Sequence, residues 1–199
     1  MAKKKIGLMG GTFDPVHYGH LATAESAADR FGLDKVIFVP TGVPPHKSNE
    51  HITSAQDRFN MVLLATINNY RFVVSRYEID KEGPSYSIET VKHFKQIFNS
   101  ELLYFITGAD AILQLPTWKE PEKLLADIEF IAATRPGYSL KDMQDSLYQQ
   151  FDSRIHILEI PGIAISSTEI RNRVATGASI KYLLPPEVEN YIYQKELYV

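Results

Sequence analysis

Short apolar runs alternate with longer segments of helical periodicity along this sequence, and that alternation constrains the fold most strongly. The runs are rich in Val, Ile, Leu and Phe and have the length of single strands. Consecutive parallel strands need a long crossover connection, which the helical segments supply. The pattern predicts an α/β fold, with a doubly wound, mostly parallel sheet of five to six strands and helices on both faces.

Six runs predict strands, and six segments predict helices. The strands are expected at residues 4–9, 36–39, 72–77, 102–106, 130–133 and 155–160. The helices are expected at residues 18–31, 54–67, 87–98, 122–126, 166–177 and after Pro186. We expect one Rossmann-like domain over residues 1–199, in which residues 178–199 form a C-terminal helical extension.

Composition excludes several classes of protein. The 199 residues include no cysteine, so disulfides, thiolate metal sites, iron–sulfur clusters and cysteine nucleophiles are all excluded. The formal net charge of −3 argues against a duplex-binding protein, which needs a net-basic face. No stretch approaches the ~20 consecutive apolar residues of a membrane span. We therefore expect a cytoplasmic protein with small-molecule partners and with neither a nucleic acid nor a membrane partner.

The loop after the first predicted strand, Gly10 to His20, reads Gly-Gly-Thr-Phe-Asp-Pro-Val-His-Tyr-Gly-His. It matches neither the Walker loop nor the dinucleotide fingerprint, because both glycine spacings are absent. His17 and His20 share one face at the start of a helix, where anions are favoured. The spacing is compatible with two imidazoles that donate to phosphate oxygens or with a tight turn carrying two surface histidines. A zinc site is a weaker alternative.

This loop resembles the nucleotidyltransferase superfamily with the His-x-Gly-His signature, and its full form is similar to the bacterial nicotinate mononucleotide adenylyltransferase family. A second segment, Ile165 to Arg171, reads as a capping box with Ser166 and Glu169. It also resembles the second signature of the superfamily, in which the triphosphate lies between this helix and the first loop. Both signatures occur in the expected order, which makes the resemblance specific.

Four further segments resemble the acceptor side of that family. They are Pro44 to Lys47, Gly83 to Ser87, Gly108 to Asp110 with Trp118, and Thr134 to Gly137. Each also has a structural interpretation without a ligand: a solvated Lys47, a helix cap by Ser85 or Ser87, a packed Trp118 and a surface Arg135. Ser87 stands where the family has threonine, and both residues supply a hydroxyl.

The resemblance implies adenylyl transfer from ATP to nicotinate mononucleotide, giving deamido-NAD and pyrophosphate. It assigns catalytic roles to His17, His20 and Arg171. The ATP-binding residues it implies are Gly10, Gly11, Thr12, Phe13, His17, His20, Gly108, Arg135, Ile163, Ser166, Ser167, Thr168 and Arg171. The residues it implies for nicotinate mononucleotide are His46, Lys47, Ser85, Tyr86, Ser87, Asp110 and Trp118.

Mg²⁺ is the expected cofactor, held by phosphate oxygens and water with few or no protein ligands. The alternative functions are phosphopantetheine adenylyl transfer and non-catalytic nucleotide sensing, and the amide form of the acceptor is a further rival. An apolar-aromatic C-terminal region serves either as core, which is the favoured interpretation, or as the interface of a homodimer. The residues of that region are Tyr182, Leu183, Leu184, Tyr191 and Tyr193.

Overall fold

A six-stranded sheet forms the centre of the fold. The computed structural model describes residues 3–45, 52–99, 101–134, 154–160 and 164–199. The strands are β1 (Lys5–Gly11), β2 (Lys35–Pro40), β3 (Phe72–Val74), β4 (Leu102–Gly108), β5 (Glu129–Thr134) and β6 (Ile155–Glu159). Their spatial order is β3-β2-β1-β4-β5-β6, and β4 pairs in parallel with both β1 and β5. The predicted Rossmann-like, doubly wound α/β fold is confirmed.

Helices lie in the connections from β1 to β5 and in the segment after β6. They are α1 (Tyr18–Phe31), α2 (Ala55–Thr66), α3 (Tyr77–Asp80), α4 (Ser87–Ile97), α5 (Ala109–Leu113), a 3-10 turn (Leu115–Thr117), α6 (Pro121–Asp127), α7 (Ser167–Ala175) and α8 (Pro186–Gln194). The six predicted helices are confirmed with small shifts at their ends. In the part of the chain that the structure describes, no helix is long and apolar enough to span a bilayer.

The prediction of a strand over residues 72–77 is wrong at its C-terminal end. Strand β3 stops at Val74, and α3 begins at Tyr77. The hydroxyl of Ser75 accepts a hydrogen bond from the Tyr77 backbone N–H at 3.1 Å, which turns the chain out of the extended conformation. The sequence pattern also missed α3, α5 and the 3-10 turn, because each is too short to show a periodicity.

The chain forms two compact units, each made from three separate stretches. The first covers residues 1–10, 23–36 and 86–162, and its core includes the buried side chains of Phe105 and Phe130. The second covers residues 11–22, 37–85 and 163–199, and its core includes Phe38, Met61 and Ile170. The assignment of residues 1–199 to a single domain stays a prediction.

The apolar-aromatic C-terminal region divides between core and surface. Leu184 is buried, as the core interpretation expects, whereas the side chains of Tyr182 and Tyr193 are exposed. The Tyr191 hydroxyl donates to Asp57 at 2.7 Å and accepts from the Asn60 amide at 2.9 Å. Two hydrogen bonds therefore attach α8 to α2 within the second unit.

Candidate active site

The turn that follows β1 is built around one aromatic ring. Phe13 is buried and has a left-handed backbone with φ of 51°. Its ring covers Gly11 so closely that a Cβ at that glycine would lie 2.9 Å from the ring. The same ring meets His20 edge to face, with centroids 5.1 Å apart. The Phe13 ring therefore supports His20.

His17 and His20 lie together, as their spacing predicts. Their rings stack with centroids 3.8 Å apart, and the backbone N–H of His17 donates to Nδ1 of His20 at 3.3 Å. Because Nδ1 of His20 is an acceptor, the ring proton belongs on Nε2. Burial first, and then the neighbouring His17, lower the pKa of His20 well below its usual value. At neutral pH the side chain is therefore an uncharged Nε2–H donor.

Gly19 makes this stacking possible. It lies in the first turn of α1, and a Cβ there would come within 3.0 Å of both Cε1 and Nδ1 of His17. The same Cβ would lie 3.7 Å from the Ile165 carbonyl oxygen. The glycine of the His-x-Gly-His signature is thus explained by space for the His17 ring.

The first turn of α7 is attached to the loop after β1. Ser166 accepts from the Glu169 N–H at 3.1 Å, so the predicted cap is confirmed. The hydroxyl of Ser167 donates to the Pro15 carbonyl at 2.8 Å. That bond occupies the Ser167 hydroxyl proton, so the hydroxyl cannot donate to a second acceptor.

Arg171 makes the second attachment. Its Nη1 donates to the Asp14 carbonyl at 2.8 Å, and Nη2 lies 3.4 Å from the Thr168 hydroxyl. Because that hydroxyl acts as an acceptor, its own proton can still point toward a ligand. The structure thus joins His17, His20, Thr168 and Arg171 in the second compact unit, around one loop.

A buried arginine that the sequence analysis did not single out fixes the same loop. Arg58 is 1% exposed and donates to three backbone carbonyls: from Nη1 to Thr12 at 2.7 Å, from Nη2 to Gly42 at 3.0 Å, and from Nε to Thr53 at 3.0 Å. Burial lowers the pKa of Arg58, and the negative charge of Asp14 opposes that shift. One side chain therefore joins the loops after β1 and β2 to the start of α2.

The signal for Arg58 was present in the sequence. Arg58, Met61 and Val62 recur at helical spacing, and all three are buried in α2. A charged residue on the apolar face of a helix predicts a buried partner. The partners themselves are backbone carbonyls distant in sequence, which no local pattern identifies.

Ser85 contacts the loop after β2 rather than capping a helix. Its hydroxyl accepts from the Gly42 N–H at 3.1 Å, and its N–H donates to the Val43 carbonyl at 2.9 Å. A Cβ on Gly42 would fall 1.9 Å from the Glu78 carbonyl oxygen, so only glycine fits there. The N-cap of α4 is Tyr86, without a side-chain cap. The interpretation of Ser85 or Ser87 as that cap is therefore wrong.

The remaining described candidates lie in the first compact unit. Gly10 packs on Phe105, where a Cβ would approach the ring to 3.1 Å. Gly108 precedes α5, and apart from its chain neighbours no atom of the described residues lies within 4 Å of where its Cβ would stand. Trp118 is half-buried and meets Phe105 edge on, with centroids 6.1 Å apart. Asp110 is exposed in the first turn of α5.

Lys119 lies beside the predicted acceptor segment. Its Nζ is 4.2 Å from the centroid of the Tyr86 ring and 2.7 Å from Oε1 of Glu89. Ser87 is the first residue of α4. His46, Lys47, Arg135 and Ile163 lie outside the described residues. Within the described ranges, no group of three or more His, Cys, Asp or Glu side chains is placed to hold a metal ion.

Comparison with known proteins identifies close relatives. Residues 8–173 match the model of a cytidylyltransferase-like family. A protein of Moorella thermoacetica, named a probable nicotinate-nucleotide adenylyltransferase, is 54% identical over 98% of this chain and 91% of its own length. A Thermoanaerobacter protein of the same name is 50% identical over 98% and 94%.

The fold also matches a solved structure. The nicotinic acid mononucleotide adenylyltransferase of Plasmodium falciparum, complexed with NaAD, superimposes with a TM-score of 0.80. The match covers 98% of this chain and 97% of that one, at 21% sequence identity. At that identity the likeness concerns the fold.

Proposed function

This chain belongs to the cytidylyltransferase-like family and, within it, to the nicotinate-nucleotide adenylyltransferases, and from that premise we propose a reaction for it. The enzyme transfers the adenylyl group of ATP to nicotinate mononucleotide, giving deamido-NAD and pyrophosphate in NAD biosynthesis. The observation that carries the proposal is the stacked pair His17 and His20, together with Arg171 of α7, which donates to the loop after β1. The uncharged Nε2–H donor of His20, a second imidazole and a guanidinium suit a triphosphate.

The chemistry needs positioning more than activation. The 5′-phosphate of the acceptor is already a nucleophile, and it attacks the α-phosphorus of ATP in line while the bond to pyrophosphate breaks. No general base is needed, so the protein's contribution is to align two polyanions and to stabilise charge on the leaving group.

We assign the phosphates as follows. The Nε2–H of His20, with His17, donates to the α- and β-phosphates, together with backbone N–H groups around Thr12 and Phe13. The backbone N–H of Ser167, the hydroxyl of Thr168 and the guanidinium of Arg171 receive the β- and γ-phosphates. His20 suits this role because its charge state does not change near neutral pH.

The acceptor residues follow the family pattern. No described side chain caps α4, so its first N–H groups, next to Tyr86 and Ser87, suit the carboxylate of the pyridine. We assign the pyridine ring to Trp118, the ribose phosphate to His46 and Lys47, and nucleotide contacts to Asp110 and Ser85. We assign Gly108 and Ile163 to the adenine of ATP, and Arg135 to a further contact with ATP.

Mg²⁺ enters the proposal with ATP. Asp14 is the only carboxylate in the loop after β1, and both of its oxygens already accept hydrogen bonds, from Tyr198 and from Thr53. We therefore assign the ion to phosphate oxygens and water, where it neutralises phosphate charge when bound. The cytoplasmic location, the homodimer and the absence of nucleic acid and membrane partners stay predictions of the sequence.

A labelling experiment tests the reaction type. ATP labelled at the α-phosphorus or at the γ-phosphorus is incubated with the enzyme, Mg²⁺ and nicotinate mononucleotide, and the products are separated. The α-label is expected in the dinucleotide and the γ-label in pyrophosphate, in equal amounts. Label from the γ-position in the acceptor would show phosphoryl transfer, and binding of ATP without products would favour a nucleotide-sensing module.

A further inference from the structure

Tyr198 extends from the C-terminal segment to the loop after β1. Its hydroxyl donates to Oδ1 of Asp14 at 2.7 Å, and the Thr53 N–H donates to Oδ2 of the same carboxylate at 3.4 Å. Asp14 is buried, with 5% of its surface exposed. Both carboxylate oxygens are therefore held by donors from other parts of the second unit.

The position of Asp14 determines where the guanidinium of Arg171 lies, because Arg171 donates to the main-chain carbonyl of Asp14. The carboxylate of Asp14 contacts Tyr198, while the main-chain carbonyl of the same residue accepts from Nη1 of Arg171 at 2.8 Å. A rotation of the Asp14 side chain and peptide would move that carbonyl. The contacts thus form a continuous series from the Tyr198 hydroxyl through Asp14 to Arg171.

The surroundings of Tyr198 keep its phenol protonated. Burial first, and then the negative charge of Asp14, raise the pKa of Tyr198 far above its usual value, so the phenol remains a donor. Arg58 supplies the buried positive charge near Asp14. The backbone of Tyr198 is left-handed, with φ of 66°, a conformation that residues other than glycine adopt uncommonly.

We infer that Tyr198 is a positioning residue for adenylyl transfer, which acts through Asp14 to place Arg171 against the leaving pyrophosphate. The inference rests on the proposed function. It goes beyond that function because Tyr198 lies outside both signatures and is not among the residues assigned to substrate. The group that carries this role is its hydroxyl, which bonds to Asp14.

The chain offers a matched pair of variants. Tyr191 lies on the same C-terminal segment, and its hydroxyl also donates to an aspartate at 2.7 Å, but that aspartate is Asp57 on α2. Tyr198→Phe and Tyr191→Phe therefore remove the same kind of bond, and only the first bond leads to Arg171. We expect Tyr198→Phe to lower kcat roughly tenfold with the KM for nicotinate mononucleotide unchanged. Tyr191→Phe should stay within about twofold of wild type.

A double-mutant cycle shows whether the effect passes through Arg171. In the Arg171→Gln background, the additional change Tyr198→Phe should have no further effect on kcat, because the residue it positions is gone. Binding of a non-hydrolysable ATP analogue to Tyr198→Phe, measured by calorimetry, should be weaker than to wild type. This measurement needs no acceptor, so it remains informative if the proposed acceptor is wrong.

Three results would overturn the inference. The first is a Tyr198→Phe enzyme with wild-type kcat and wild-type affinity for the analogue. The second is an equal loss of kcat in Tyr191→Phe, which would mean that any loosening of the C-terminal segment has the same effect. The third is full additivity of Tyr198→Phe with Arg171→Gln.

Discussion

His20→Asn is expected to lower kcat by about 10²- to 10³-fold, about 2.7 to 4 kcal/mol, by analogy with the loss of an oxyanion-hole donor. Asparagine places its Oδ1 where Nδ1 of His20 accepts from the His17 N–H, so the turn keeps its internal hydrogen bond. It has no group at the position of Nε2, where we place the donor to the phosphates. The measurement is steady-state kcat together with the thermal melting temperature, which should change little.

Two further variants control this result. His20→Gln places an amide N–H near the Nε2 position, so it should recover part of the activity that His20→Asn loses. His156 lies on β6, outside the proposed site, and its Nε2 is hydrogen-bonded to Glu129 on β5. The His156→Asn variant should therefore have the activity of wild type. Near-wild-type turnover of His20→Asn would remove His20 from the mechanism.

Arg171→Gln is expected to have the second largest effect. The change removes the guanidinium that donates to the Asp14 carbonyl, along with the charge assigned to the β- and γ-phosphates. Hydrogen bonds to charged groups contribute about 1.5 to 3 kcal/mol, so kcat/KM for ATP should fall roughly 10- to 100-fold. Lysine at this position should recover only part of the lost activity, because its single ammonium group cannot replace both Nη1 and Nη2 of the guanidinium.

Arg173 provides the control on the same helix. It pairs with Glu169 on the surface at 2.8 Å, and both side chains are largely exposed. Surface pairs of this kind contribute little to stability. Arg173→Gln should therefore leave kcat/KM unchanged. An equal loss of kcat/KM in Arg171→Gln and Arg173→Gln would mean that activity depends on the total positive charge of α7 rather than on Arg171.

Sequence patterns predicted the long elements well. The helix expected at residues 18–31 is Tyr18–Phe31, and the one expected at 54–67 is Ala55–Thr66 with Ser54 as its cap. These segments combine a clear apolar periodicity with capping residues or glycine at their ends. The strands expected at 36–39 and 130–133 differ from the observed ones by about one residue at each end.

The histidine and α7 halves of the site were also predictable, because each lies within one short motif. The residues elsewhere in the chain that hold the loop after β1 in place were not. Tyr198 and Asp14 are 184 positions apart in sequence, and Arg58 bonds to backbone carbonyls whose identity no side chain reveals. Contacts of this kind depend on tertiary packing, so a local pattern indicates at most that a buried charge such as Arg58 needs a partner.

The most direct test of the account compares acceptors under the same concentrations of ATP and Mg²⁺. Pyrophosphate release is measured with nicotinate mononucleotide, nicotinamide mononucleotide and phosphopantetheine. We expect the fastest pyrophosphate release with nicotinate mononucleotide and no release with phosphopantetheine. Release with nicotinamide mononucleotide should be at least roughly tenfold slower than with the nicotinate form, because the first N–H groups of α4 suit a carboxylate. Equal turnover of acid and amide, or faster turnover of phosphopantetheine, would contradict the account.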